Sequence, residues 1–190
     1  MPKLYEFLSV NFRTIELWEV IGGLIIIVLL VTLAKYLEKR HIISKPQSIS
    51  LILLTIYMEA LFAFTLLLRI PTGQRKMKNK VFWSWESIFR YKSLGLLIDN
   101  ILNLLMLFPV GCLGYVLTKG KIKARKVFLI GVMLSGIIEL AQLFLCRGYF
   151  EWDDILHNVF GCCLGYCVML FANKLTRKNH HLSGKGNYKS

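Results

Sequence analysis

Five stretches of this chain are apolar for about the 20 residues that a helix needs to cross a bilayer core of about 30 Å. They run over residues 17–37, 49–70, 94–118, 126–145 and 155–173. Between them lie short polar or basic segments. The pattern predicts five membrane-spanning helices. Pro109, in "LFPVG", is expected to kink the third span near its middle. Gly161 and Gly165 form a GxxxG pair, and Gly131 with Ser135 a small-xxx-small pair; both spacings suit close helix approach.

The two ends read differently. In residues 1–16, Leu4, Phe7, Leu8, Phe12 and Ile15 recur every three or four positions among Lys3, Glu6, Ser9 and Arg13. This is an amphipathic pattern too mixed to span, and it predicts a short helix lying in the membrane interface. Residues 175–190 are polar and basic and are expected to form a flexible tail. The His180–His181 pair within it is read as exposed. The predicted organisation is an interfacial segment over 1–16, a first span with its basic loop over 17–48, a four-helix membrane unit over 49–174, and the tail. The fold class is all-α, a polytopic helical membrane protein.

Composition agrees. The chain is 55% hydrophobic, with 24 Lys and Arg against 11 Asp and Glu and a formal net charge of +13. The positive charge is spread through loops between apolar runs, which argues for cytoplasmic flanks of membrane spans rather than nucleic-acid binding. With the N-terminus outside, fourteen of the 24 basic residues fall on the cytoplasmic side, including the dense cluster between Lys119 and Lys126. The expected location is a bacterial plasma membrane, with the C-terminus in the cytoplasm. No cleavage site follows the first apolar run, so it is read as a retained span. The five cysteines show no ligand spacing and read as small packing residues. No metal site and no cofactor are expected.

Ionisable and amide groups inside spans are costly and point to function. Arg69 closes the second span. Asp99, Asn100 and Asn103 open the third. Glu139, Gln142 and, just beyond, Arg147 close the fourth. Asp153, Asp154, His157 and Asn158 open the fifth. Because consecutive spans alternate in direction, all four ends lie on one membrane face. Spacing groups them further: Glu139 with Gln142, Asn100 with Asn103, and Asp154 with Asn158 are three or four apart and share helix faces. At about 1.5 Å per residue, Asn103 lies roughly 14 Å inside its span. The expectation is one outward polar site built from Arg69, Asn100, Asn103, Glu139, Gln142, Arg147, Asp153, Asp154 and Asn158.

Plainer roles compete. Asp153 and Asp154 would stabilise a helix N-terminus by about 0.3–1 kcal/mol each. Arg147 would pair with Glu151 at the surface for almost nothing. Asn103, Glu139 and Gln142 would hydrogen-bond between helices, at about 0.6 kcal/mol each. Glu59 stands apart, mid-span in "LILLTIYMEALFAFTLLLR" and without an evident partner.

"NILNLLMLFPVG" followed by "IELAQLFLCRGYFEWDDILHNVFGCCLG" resembles the VanZ-like family of small bacterial membrane proteins. The frame is N-x-x-N-x-x-x-x-F-x-P-x-G, E-x-x-Q, R-G-x-F, D-D and N-x-x-G-x-x-x-G. Here it is carried by Asn100, Asn103, Phe108, Pro109 and Gly111; Glu139 and Gln142; Arg147, Gly148 and Phe150; Asp153 and Asp154; and Asn158, Gly161 and Gly165. Arg69 and "ESIFRY" resemble the family's Arg after the preceding span and its loop. The resemblance covers about residues 50–170 and leaves the first span and Glu59 outside. Glu151, Trp152 and His157 depart from the family pattern.

The resemblance implies a role at the cell envelope. The family's namesake is associated with resistance to teicoplanin, a lipid-anchored glycopeptide. Two functions from different classes follow: a protein whose outward polar site binds membrane lipids, a lipid-linked wall precursor or the lipoglycopeptide, and an intramembrane enzyme using Glu139, Asp153 and Asp154 as acid/base groups or divalent-metal ligands on lipid-linked precursors. Against the enzyme, the sequence has no HExxH, no Ser/His/Asp set and no phosphatase signature.

Overall fold

The computed structural model describes residues 13, 14 and 16–186, with side chains as far as Thr176. The predicted interfacial helix at 1–16 lies almost wholly outside the described residues, as do the side chains of His180 and His181.

Helix α1 (Leu17–Lys39) begins with a capping box between Glu16 and Glu19. Helix α2 (Lys45–Phe62) begins with another, between Ser44 and Gln47, with Pro46 in its first turn, where a missing N–H costs nothing. That cap starts the second span four residues earlier than its apolar run. After Phe62 the helix passes into a π-helical turn (Ala63–Leu67).

The next segment is not the plain loop that its polarity suggests. It contains strand β1 (Lys76–Lys78) and helix α3 (Trp83–Tyr91). Helix α3 is amphipathic, and Phe82 and Lys92 at its two ends both adopt left-handed backbone conformations.

The third span is two helices, α4 (Leu94–Met106) and α5 (Phe108–Leu117). The break falls at Leu107, φ −104° and ψ 3°, two residues before Pro109, rather than being a bend in a continuous helix. Pro109 has no N–H to donate and so belongs in the first turn of α5. Tyr57 Oη donates to the freed carbonyl of Met106 at 2.6 Å.

Helix α6 (Ala124–Phe144) and helix α7 (Trp152–Gly186) flank strand β2 (Tyr149–Glu151). The two strands pair in parallel, Lys76 opposite Tyr149 and Lys78 opposite Glu151. Helix α7 continues to Gly186, past the boundary where a loose tail is predicted; no proline interrupts it, and its lysines and arginine are good helix formers.

Five helical stretches among the described residues are long and apolar enough to cross a membrane: Leu17–Lys39, Lys45–Leu67, Leu94–Leu117, Ala124–Phe144 and Trp152–Thr176. Helix α7 is central, packing against α4, α5 and α6, whereas α1 packs along α2. The glycines explain how closely α7 approaches. A Cβ on Gly161 would sit 1.7 Å from the Leu104 carbonyl oxygen, and one on Gly165 2.1 Å from that of Phe108. The GxxxG pair therefore clasps the break in the third span. Leu107, Ile138 and Cys162 are fully enclosed there, Cys162 as a packing residue.

Candidate functional site

The polar helix ends meet where α3 and the two short strands cover the starts of α4 and α7. Asp153, in the first turn of α7, is fully buried. Its carboxylate accepts from the Phe82 N–H, from the Ser84 N–H at 2.9 Å and from the Ser84 hydroxyl at 2.6 Å. Asn100 of α4 donates to the same Ser84 oxygen at 3.2 Å. Trp85 Nε1 donates to His157 Nε2 at 2.9 Å. These bonds hold the amphipathic helix over the bundle and support the left-handed Phe82, a conformation that costs a non-glycine residue about 1–2 kcal/mol.

Beneath this cover is a cleft of about 680 Å³. Five of the nine predicted site residues line it: Arg69, Asn100, Asn103, Gln142 and Asp154. Asp99 lines it too. Gly148 leaves room for the head of Arg69: a Cβ there would lie 3.0 Å from Arg69 Nη1 and 3.1 Å from Gln142 Oε1. The lower wall is apolar, with Leu61, Phe64, Leu102 and Leu105. Phe64, Leu102 and Leu105 are also 62%, 58% and 49% exposed. The apolar wall therefore reaches the outer surface of the bundle, and the cleft opens sideways where lipid would lie.

The other four predicted residues stand behind the cleft and make structural bonds. Glu139, 1% exposed, accepts from the Glu151 N–H at 3.0 Å and ties α6 to β2. Arg147 does not pair with Glu151. It donates to the Leu66 and Leu67 carbonyls at 2.7 and 3.3 Å. Those carbonyls close the π-helical turn at the end of the span, where the last carbonyls of a helix have no intrahelical donor. Arg13 Nε donates to the Leu67 carbonyl as well, at 2.6 Å, and Gln142 reaches that of Thr65 at 3.4 Å. Asn158 donates to Ser135 Oγ at 2.8 Å inside the α6–α7 contact. Asp153 holds α3, as described. Glu59 lies apart, at the α1–α2 seam, where its Oε2 would be 3.7 Å from a Cβ on Gly23.

The lining also takes in Lys78 and four residues outside the predicted site, Trp83, Ser84, Tyr149 and Glu151. Lys78 Nζ bonds Glu151 at 2.9 Å and lies over the rings of Trp83, at 3.6 Å, and Tyr149, at 4.8 Å. Trp83 Nε1 donates to the other Glu151 oxygen at 3.0 Å. These groups come together through the parallel strand pairing, which leaves no local mark in the sequence.

The groups in the cleft fall into two sets. Asn100, Gln142, Lys78 and Glu151 are bound to the protein itself. Arg69, Asp99, Asn103 and Asp154 have no side-chain hydrogen bond or ion pair among the described residues, although all four face the cavity. Among the described residues no three His, Cys, Asp or Glu side chains converge as a metal site.

The motif residues thus occupy the cleft, its cover and the seams around it. Residues 24–173 match the family model for VanZ/LLP1. The chain belongs to this family. The match takes in most of α1 and Glu59, both of which the motif frame alone leaves outside. No curated protein and no solved structure shows significant similarity to the chain. Glu151, Trp152 and His157 each have a partner in the fold: Glu151 with Lys78, Trp152 edge-on to Phe150 at 5.2 Å between ring centroids, and His157 with Trp85.

Proposed function

We propose that this VanZ/LLP1 member is a multi-pass protein of a bacterial plasma membrane, N-terminus outside, that receives a lipid-tailed molecule in its outward-facing cleft. The occupant is a lipid-linked wall precursor, a membrane lipid or a lipoglycopeptide such as teicoplanin, and its capture contributes to resistance against that drug. The observation that carries this reading is the shape of the cleft. Its upper part presents uncommitted Arg69, Asp99, Asn103 and Asp154, while its lower wall of Phe64, Leu102 and Leu105 opens to the lipid-facing surface. A polar head and an apolar chain have adjoining places there, and entry from the membrane requires no passage through water.

The test is expression in a susceptible Gram-positive host, with inhibitory concentrations compared for teicoplanin and vancomycin. The teicoplanin value should rise and the vancomycin value should not, because the hydrophilic drug has no tail for the apolar wall. Arg69→Ala and Asp154→Asn, at equal protein level, should remove the protection. Unchanged values for both drugs would overturn the resistance role.

A second reading, enzymatic turnover of a lipid-linked precursor, is favoured by one observation: Asp99 and Asp154 line the same cleft as Arg69 without side-chain partners among the described residues. An acid and a base beside a phosphate-binding cation suit hydrolysis. Release of inorganic phosphate from a lipid pyrophosphate by the purified protein, lost in Asp154→Asn, would support this reading over simple binding.

A further inference from the structure

The basic residues between positions 71 and 93 do not make the cleft positive. Arg75 and Lys76 do not line it. Arg75 lies over the Phe144 ring at 5.5 Å, and Lys76 over that of Tyr149 at 5.4 Å. Lys78 does line it, but its ammonium is bound to Glu151. The ionisable Arg, Lys, Asp and Glu side chains of the lining are Arg69 and Lys78 against Asp99, Glu151 and Asp154. Once Lys78 and Glu151 cancel, the lining holds Arg69 with the side chains of Asp99 and Asp154, and with both acids ionised the formal balance is one negative charge. A purely anionic head would satisfy Arg69 and be repelled by Asp99 and Asp154. A purely cationic head would leave Arg69 unmatched.

We infer that the head group taken by this cleft is zwitterionic: an anion, such as a phosphate or carboxylate, for Arg69, and a protonated amine for Asp99 and Asp154. This rests on the amphiphile reading above and narrows it. Arg69 offers a planar fork suited to paired bonds with an anion. Two acidic side chains that accept no hydrogen bond from the described residues offer the matching acceptors for an ammonium, which has three donors and no lone pair. Two sources supply this chemistry: an amine-headed phospholipid and an amine-bearing lipoglycopeptide.

The experiment offers the full-length protein in detergent equal amounts of phosphatidylethanolamine and phosphatidylglycerol with identical acyl chains, and reads retained lipid by native mass spectrometry. A parallel arm compares teicoplanin with its amine free and with the amine acetylated. The ethanolamine lipid should be retained about tenfold better than the glycerol lipid, the worth of one charge-assisted hydrogen bond, or the free-amine drug about tenfold better than the acetylated one. Whichever arm shows the preference identifies the source. Asp99→Asn/Asp154→Asn should abolish it, whereas Arg69→Ala should weaken both lipids and both drugs. Retention of the glycerol lipid equal to or better than the ethanolamine lipid, with no effect of acetylation, would overturn the zwitterion assignment and leave the cleft an amphiphile site. A preference that survives in the double variant would overturn the role of the two aspartates. Retention of no lipid and no drug would overturn the amphiphile reading together with this one.

Discussion

Asp153 holds Ser84 twice, through the amide N–H at 2.9 Å and through the hydroxyl at 2.6 Å, across 69 residues of chain. With the Phe82 N–H, one carboxylate serves three donors and pins α3 to α7. Asp153→Ala would leave the two buried Ser84 donors and the Phe82 N–H without their acceptor and should destabilise the folded protein by roughly 2–3 kcal/mol. Thermal unfolding in detergent, together with faster tryptic cleavage between residues 75 and 92, checks this. Asp153→Asn, which keeps its acceptor oxygen, should lose less.

The spans were legible in the sequence because each is a long apolar run, and membrane helices need little else. The grouping of polar helix ends was legible too, since it follows from alternating direction alone. Which of those groups face the cleft was not. Glu139 and Asp154 look alike in sequence, yet one is bound to a backbone N–H and the other faces the cavity. Arg147 looks like a surface partner for Glu151 and is instead bound to two carbonyls of the π-helical turn, a turn that no residue pattern announces. The pairing of β1 with β2 joins three-residue strands far apart in the chain, too short to leave a periodic signal. Ser84 is one serine between two tryptophans and acquires its role only through that cover.

Arg147 should act on binding through Arg69. It caps the Leu66 and Leu67 carbonyls at the end of the π-helical turn, and Arg69 follows two residues after Leu67. Arg147→Ala should reduce teicoplanin protection nearly as much as Arg69→Ala, and the double variant should be no worse than Arg69→Ala alone. Arg147→Lys, with a single ammonium in place of the fork, should rescue partially. Inhibitory concentrations across this cycle provide the measurement; additive losses would show that the two residues act separately.

Gly161→Ala should be more damaging than Gly136→Ala. A Cβ on Gly161 would overlap the Leu104 carbonyl, whereas one on Gly136 meets nothing within 4 Å. The first should cost about 1–3 kcal/mol or more by forcing α7 away from α4. The second should be neutral or slightly stabilising, since alanine suits a helix better than glycine. Thermal unfolding of the two variants in the same detergent compares them directly.

Compartment-reporting fusions after Ser190 and at Lys123 should both read cytoplasmic. The basis is the bias of basic residues toward that side. An external reading at either position would invert the orientation and place the cleft on the inner face.

The π-helical turn lets one span address two neighbours. Before it, α2 directs Ser50 to the Leu113 carbonyl of α5, at 2.7 Å, and Tyr57 to that of Met106, at the end of α4. Within it, the Thr65 carbonyl meets Gln142 of α6, and beyond it Arg69 lines the cleft. The wider winding works as a gear change between these two engagements. The same chain, with Ala63–Leu67 kept at full length but wound as ordinary α-helix, would rotate one half against the other by about 100°. It could then keep its grip on α5 or present Arg69 to the cleft, but not both.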